Sequence, residues 1–99
     1  LYTEPILFES LKYVDAHSPS ISPDGSYLII SSNGLKILFR KKDGSWTKDI
    51  SLTEVIGYEG FCPIVTHDGK YLFFVHDVGD RNLPYWVSAR FIEDLRPKE

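Results

Sequence analysis

"ISPDGSYLII", residues 21–30, returns as "VTHDGKYLFF", residues 65–74, and this duplication decides the fold. Asp-Gly, Tyr and Leu hold the same places in both stretches. At an offset of 44, residues 2–33 fall on 46–77 without a gap. Thr3/Thr47, Ile6/Ile50, Pro19/Pro63, Asp24/Asp68, Gly25/Gly69, Tyr27/Tyr71 and Leu28/Leu72 are identical. Other pairs keep their character: Tyr2/Trp46, Ile21/Val65, Ser22/Thr66, Ile29/Phe73 and Ile30/Phe74. A period in the low forties, with several short strands per unit, is the mark of a propeller blade.

The turn chemistry agrees. In Pro23-Asp24-Gly25 the proline fixes φ, the aspartate caps the turn and the glycine supplies a positive φ. His67-Asp68-Gly69 repeats it without the proline. Each turn leads into a dense apolar run, 27–30 and 71–75. Neither run alternates with polar residues, which predicts strands buried on both faces, with Leu28, Ile30, Leu72 and Phe74 inaccessible. Asn33-Gly34 is a two-residue hairpin signal, and Asp43-Gly44 turns the chain again. Strands are predicted near 3–8, 17–22, 26–32, 35–41, 46–52, 61–66, 70–76 and 84–90. Phe91, Ile92 and Leu95 share a face at helical spacing, and Pro97 ends that run. The fold class predicted is all-β: two four-stranded antiparallel blades, a segment of a β-propeller, with a short C-terminal helical tail. The repeats occupy about 2–45 and 46–90 of one 99-residue domain, and the tail 91–99.

Composition narrows the function classes. Forty-two per cent hydrophobic and 14% aromatic residues exclude a disordered tail. A net charge of -3 argues against nucleic acid as a partner. The basic run Arg40-Lys41-Lys42 beside an Asp-Gly turn reads as a solvated hairpin end. A lone Cys62 excludes an intrachain disulfide. No apolar run approaches the roughly 18 residues of a membrane helix. The chain opens at Leu1 with no signal peptide, which reads as a segment cut from a longer protein.

"SPDGSYLIISSN", "FRKKDGSWT", "HDGKYLFF" and "YWVSARFIEDLRPKE" resemble the WD40-like β-propeller repeat proteins of bacteria, relatives of the TolB propeller. The resemblance runs from Pro19 onward and is carried by the Asp-Gly turn with its aromatic strand. It implies a propeller fold and a periplasmic or exported location, without implying one activity. His67 stands where the family has proline, and the stretch 33–36 is shorter than the family's glycine-rich loop.

No active site is legible. His67-Asp68 and His76-Asp77 suggest halves of a metal site, but a strand between them separates the pairs by roughly 20 Å, whereas zinc ligands lie about 2 Å from one ion. His76, Asp77 and Asp80 are read as ordinary loop residues, and His17 as a packed or edge histidine. A nucleophile elbow and a phosphate-binding glycine loop are both missing. Cys62 reads as a small hydrophobe in the sheet. Glu54, Glu59 and Asp15 cannot be assigned to one cleft, as a glycosidase would need. No cofactor is expected.

Aromatic side chains remain. Tyr58, Tyr85 and Trp86 are the candidate binding residues, because rings supply rigid contact area; Trp46 reads as packing. The expected function is a non-catalytic scaffold binding a protein partner. The alternatives are a carbohydrate-binding propeller and an accessory propeller domain of a hydrolase. Two blades cannot close a ring, so two outcomes follow. Strand 3–8 pairs beside strand 84–90 in a homo-oligomer that completes a propeller, or two sheets pack together unusually.

Overall fold

The computed structural model describes residues 17–98. The predicted strand 3–8, and with it its pairing to 84–90, lies outside the described residues. Two antiparallel sheets stand where the two repeats fall. The first has four strands in sequential order: β1 (His17–Ile21), β2 (Tyr27–Ser31), β3 (Leu35–Phe39) and β4 (Ile50–Ser51). A short helix, α1 (Leu52–Ile56), leads to the second, of three strands: β5 (Phe61–Val65), β6 (Tyr71–Asp77) and β7 (Asn82–Ser88). The sheets do not close into a ring.

The duplicated turns are built alike. Gly25 and Gly69 have φ of 76° and 72°, as their place in the turn requires. In the first, Ser22 N–H donates to Tyr27 O at 3.0 Å and Gly25 N–H to Ser22 O at 3.0 Å. Asp24 Oδ1 accepts from the Ser22 hydroxyl at 2.9 Å and from Ser26 N–H at 3.0 Å. Thr66, Asp68, Gly69, Lys70 and Tyr71 reproduce these bonds in the second turn at 2.7–3.0 Å. Asn33 and Gly34, at φ 51° and 98°, make the predicted hairpin.

The repeat extends to a defect. β1 and β5 each carry a register shift, between His17 and Ser20 and between Phe61 and Ile64. Ser18 and Cys62 sit at these bulges with φ of 52° each, a strained conformation for residues with a Cβ. Their side chains meet, Ser18 Oγ to Cys62 Sγ at 3.6 Å. Cys62 is therefore exposed at a bulge and not the packed hydrophobe expected. Two bonds join the sheets along this seam: Cys62 N–H to Ser31 Oγ and Val65 N–H to Ser20 Oγ, both 3.1 Å.

The core lies between the sheets. Tyr27, Ile29, Leu35, Ile37 and Phe39 come from one face of the first sheet, where register pairs Tyr27 with Phe39 and Ile29 with Ile37. Leu72 and Phe74 meet them from the second, and Leu52, Ala89 and Ile92 close the ends. Ile30 and Leu38, on the other face of the first sheet, are buried outside this cluster. Tyr27 and Ile29 point into the core, but their repeat equivalents Tyr71 and Phe73 point out of it. The sheets are therefore stacked in the same sense, one repeat laid on the next.

Four expectations need correction. Strand 46–52 shrinks to an Arg40–Trp46 bridge and the two residues of β4. The cause is Thr47, whose hydroxyl accepts Phe39 N–H at 3.0 Å in place of a strand carbonyl. Helix α1 was unforeseen: Ser51 Oγ caps Glu54 N–H at 3.2 Å, and Gly57 ends the helix at φ 80°. The C-terminal tail is two 3-10 turns, Ala89–Phe91 and Glu93–Leu95, although Ile92 does seat in the core with Phe91 and Leu95 packed beside it. Arg96 ties the tail to the first sheet, its guanidinium 4.7 Å from the Phe39 ring and paired with Glu93 at 2.9 Å. Finally, burial on both faces holds only in part. Ile30, Leu72 and Phe74 are inaccessible, Leu28 is half-buried, and Tyr71 and Phe73 are exposed.

Candidate functional site

The three candidate binding residues separate into two places. Tyr85 and Trp86 are neighbours in β7, so the pleat sends them to opposite faces. Tyr85 turns inward, its ring stacked on Phe74 at 6.1 Å. Tyr58 follows the helix-ending Gly57 and reaches the same end of the second sheet, its ring 5.5 Å from Tyr85. His76 completes a trio, edge-on to both tyrosines at 5.2 Å.

His76 is held by its Nδ1, which lies 2.6 Å from Glu59 O. A carbonyl can only accept, so the ring carries a proton at Nδ1 and leaves Nε2 for another partner. Beside it opens a cleft of about 520 Å³ lined by Asn33, Gly34, Glu59, Gly60, Phe61, His76 and Asp77. Gly60 is required here, since a Cβ on it would come within 2.5 Å of the Phe74 ring and 3.3 Å of Leu35. The cleft thus gathers the β2–β3 hairpin, the α1–β5 link and the end of β6, and it offers two carboxylates, an amide and an imidazole. Asp77 Oδ1 also accepts Gly79 N–H at 2.8 Å, which orders the loop after β6. Among the described residues no cluster of three or more His, Cys, Asp or Glu is placed to hold a metal.

Trp86 belongs to the outer face of the second sheet. It is 59% exposed and lies edge-to-face with Tyr71 at 5.3 Å. Asp24, Gly25, Asp68 and Gly69, the turn residues, gather at the opposite end from the cleft, where Pro23 lies 3.8 Å from the position of a Cβ on Gly69. Their carboxylates, and that of Asp43, are held below the usual aspartate range by hydrogen bonds. The main donors are the hydroxyls of Ser26, Thr66 and Ser45 respectively. These are structural bonds that close turns.

The sequence reads His76 as an ordinary loop residue; the structure places it near the end of β6, within the ring trio. Tyr58, His76 and Tyr85 lie nine and more residues apart and carry no local signal, so only the pairing of β6 with β7 and the packing of the α1–β5 link reveal the trio. Trp46 is half-buried, with the Arg40 guanidinium 5.7 Å from its ring. No helix among the described residues is long and apolar enough to cross a membrane. Compared with known proteins, the chain matches no family model, no curated protein and no solved structure.

Proposed function

We propose that the chain is two blades of a TolB-like β-propeller, acting as a non-catalytic scaffold that binds a protein partner in the bacterial envelope. Same-sense stacking of the two repeats is the observation that supports the blade reading. Blades of a propeller follow one another by rotation, each laying the same face on the opposite face of the next, whereas a sandwich of two sheets turns like faces together. Partner binding is assigned to the loop end, where Tyr58 stands 45% exposed beside the cleft of Glu59, His76 and Asp77. Rings rimmed by polar groups are the usual anchors of protein interfaces.

A photo-crosslinking residue at position 58, in chain exported to a bacterial periplasm, tests this. Discrete protein adducts at 58 that are absent at exposed Lys48 support the scaffold. A glycan array carries the alternative: specific sugar binding, lost in Tyr58→Ala and without protein adducts, would replace a protein partner by a carbohydrate.

A further inference from the structure

A second cleft, of about 450 Å³, opens at the turn end of the molecule, where the two duplicated turns meet the C-terminal tail. Tyr27 reaches it from inside. Its ring packs against Phe39 at 6.1 Å, and the residue is 8% exposed. The repeat equivalent, Tyr71, is exposed, so only the first phenol is closed over by a neighbouring turn and the tail. A tyrosine enclosed to this degree normally gives its hydroxyl a hydrogen-bond partner. The Tyr27 hydroxyl has none among the described residues. No side-chain polar atom there is both sealed from solvent and unpaired, so the hydroxyl opens into the cleft that Tyr27 lines.

The groups around that hydroxyl are acidic and apolar. Asp24, Asp68 and Glu93 line the cleft together with Pro23, Ala89 and Ile92. Burial, and after it the charges of Asp24 and Glu93, push the Tyr27 phenol above its ordinary pKa. It is therefore neutral, and its oxygen accepts as well as donates. Asp24 and Asp68 are ionised, their carboxyls held low by the bonds that close the turns, first those from Ser26 and Thr66. Both turn bonds of Asp68 fall on Oδ1, which leaves Oδ2 to face a ligand. Glu93 is paired with Arg96. Arg90, exposed at the rim, is the competing cation.

We propose that this cleft binds a primary alkylammonium group, the chemistry shared by a lysine side chain and a free polyamine. The Tyr27 oxygen and the Asp68 carboxylate accept from the ammonium, Asp24 adds negative charge, and Pro23, Ala89 and Ile92 receive the alkyl stem. An ammonium carries three donors that reach separate acceptors. A metal ion needs its ligands gathered on one point, and the described carboxylates are not so gathered. The volume lies within the range of small-ligand sites. The cleft is at the end of the molecule away from Tyr58 and stands on its own contacts, so the partner-binding reading and this one fail separately.

Titration of the full chain at physiological salt, followed by NMR at the amides of Gly25, Gly69 and Ala89, is the test. Pentylammonium should shift these amides saturably, half-complete at about 1 mM. Pentanol and hexanoate, which carry the same stem without the positive charge, should not. Tyr27→Phe removes only the hydroxyl. Because that hydroxyl has no partner among the described residues, the urea midpoint should not fall, while affinity drops about tenfold. Asp68→Asn keeps the acceptor oxygen of the turn and should weaken binding about threefold, and Arg90→Ala should tighten it about twofold. Tighter binding of a blocked alanyl-lysyl-alanine peptide than of diaminopentane assigns the site to a protein lysine, and the reverse order to a free polyamine; both orders support the site. No saturable shift at about 20 mM pentylammonium, an equal response to pentanol, or unchanged affinity in both Tyr27→Phe and Asp68→Asn overturns the proposal.

Discussion

At the residue scale, the Asp-Gly turns were fully legible, because the chemistry that closes them is local. Pairing within five residues needs no knowledge of the rest of the fold, and three Asp-Gly sites were found this way. Gly69→Ala places a Cβ at φ 72° and is expected to cost about 1 kcal/mol, measured by urea denaturation. The turn carboxylates also set an acid limit. Asp24, Asp43 and Asp68 are lowered in the folded chain, chiefly by hydrogen bonds from Ser26, Ser45 and Thr66, so the unfolded chain takes up their protons first. Their stabilisation is present above the ordinary aspartate pKa, about 4, and is lost as pH falls through the folded values. All three are solvent-exposed, so the effect is small and screened by salt. Melting temperature measured from pH 6 to 2 should fall below about pH 4, and more gently in Asp24→Asn with Asp68→Asn. Gly60 was not legible as special, because nothing near it in sequence shows that Phe74 will lie against it. Gly60→Ala should destabilise by about 1–3 kcal/mol, and Phe74→Leu in the same chain should recover part of that loss. Equal loss with and without Phe74→Leu would refute the contact.

At the element scale, strand positions were readable and strand lengths were not. β1, β2, β3, β5 and β6 fall within a residue or two of their expected bounds, because turn residues punctuate each one. The stretch 46–52 failed for two reasons of different kinds. Thr47 substitutes a hydroxyl for a ladder carbonyl, which only the paired strand makes visible. The helix that follows was visible in principle: Ser51 with Glu54 three residues on matches the capping-box sequence pattern, and Gly57 supplies a left-handed stop. Strand patterning upstream obscured it. Ser51→Ala should cost about 1 kcal/mol through loss of the cap, seen as a lower denaturation midpoint with unchanged slope. Phe74, 2% exposed and stacked on Tyr85, is the central strand's anchor. Its replacement by alanine should cost about 3–5 kcal/mol. An unchanged midpoint in Phe74→Ala would contradict the position of β6 between sheet and solvent.

At the scale of the whole molecule, the duplication foretold two sheets but not how they stack. The repeats align without a gap, so equivalent residues hold equivalent places along their strands. Whether equal faces then meet or follow one another depends on contacts 40 and more residues apart, which no local pattern encodes. The Ser18–Cys62 contact is the most direct reporter of that choice, because it joins equivalent positions of the two repeats. Turning one sheet over would carry these side chains apart. With Oγ and Sγ at 3.6 Å, Ser18→Cys should place two sulfurs near bonding distance after a small side-chain rotation. Mild oxidation should then form an 18–62 disulfide within one chain, read as loss of both free thiols at unchanged molecular mass by light scattering. The closed loop spans about 45 residues, so chain entropy sets an upper gain of about 4 kcal/mol. The strained φ of 52° at both positions will reduce what is realised. A Ser18→Cys chain that keeps two free thiols while folded, or that cross-links only between copies, would show that β1 and β5 do not lie side by side. Same-sense stacking would fall with that result.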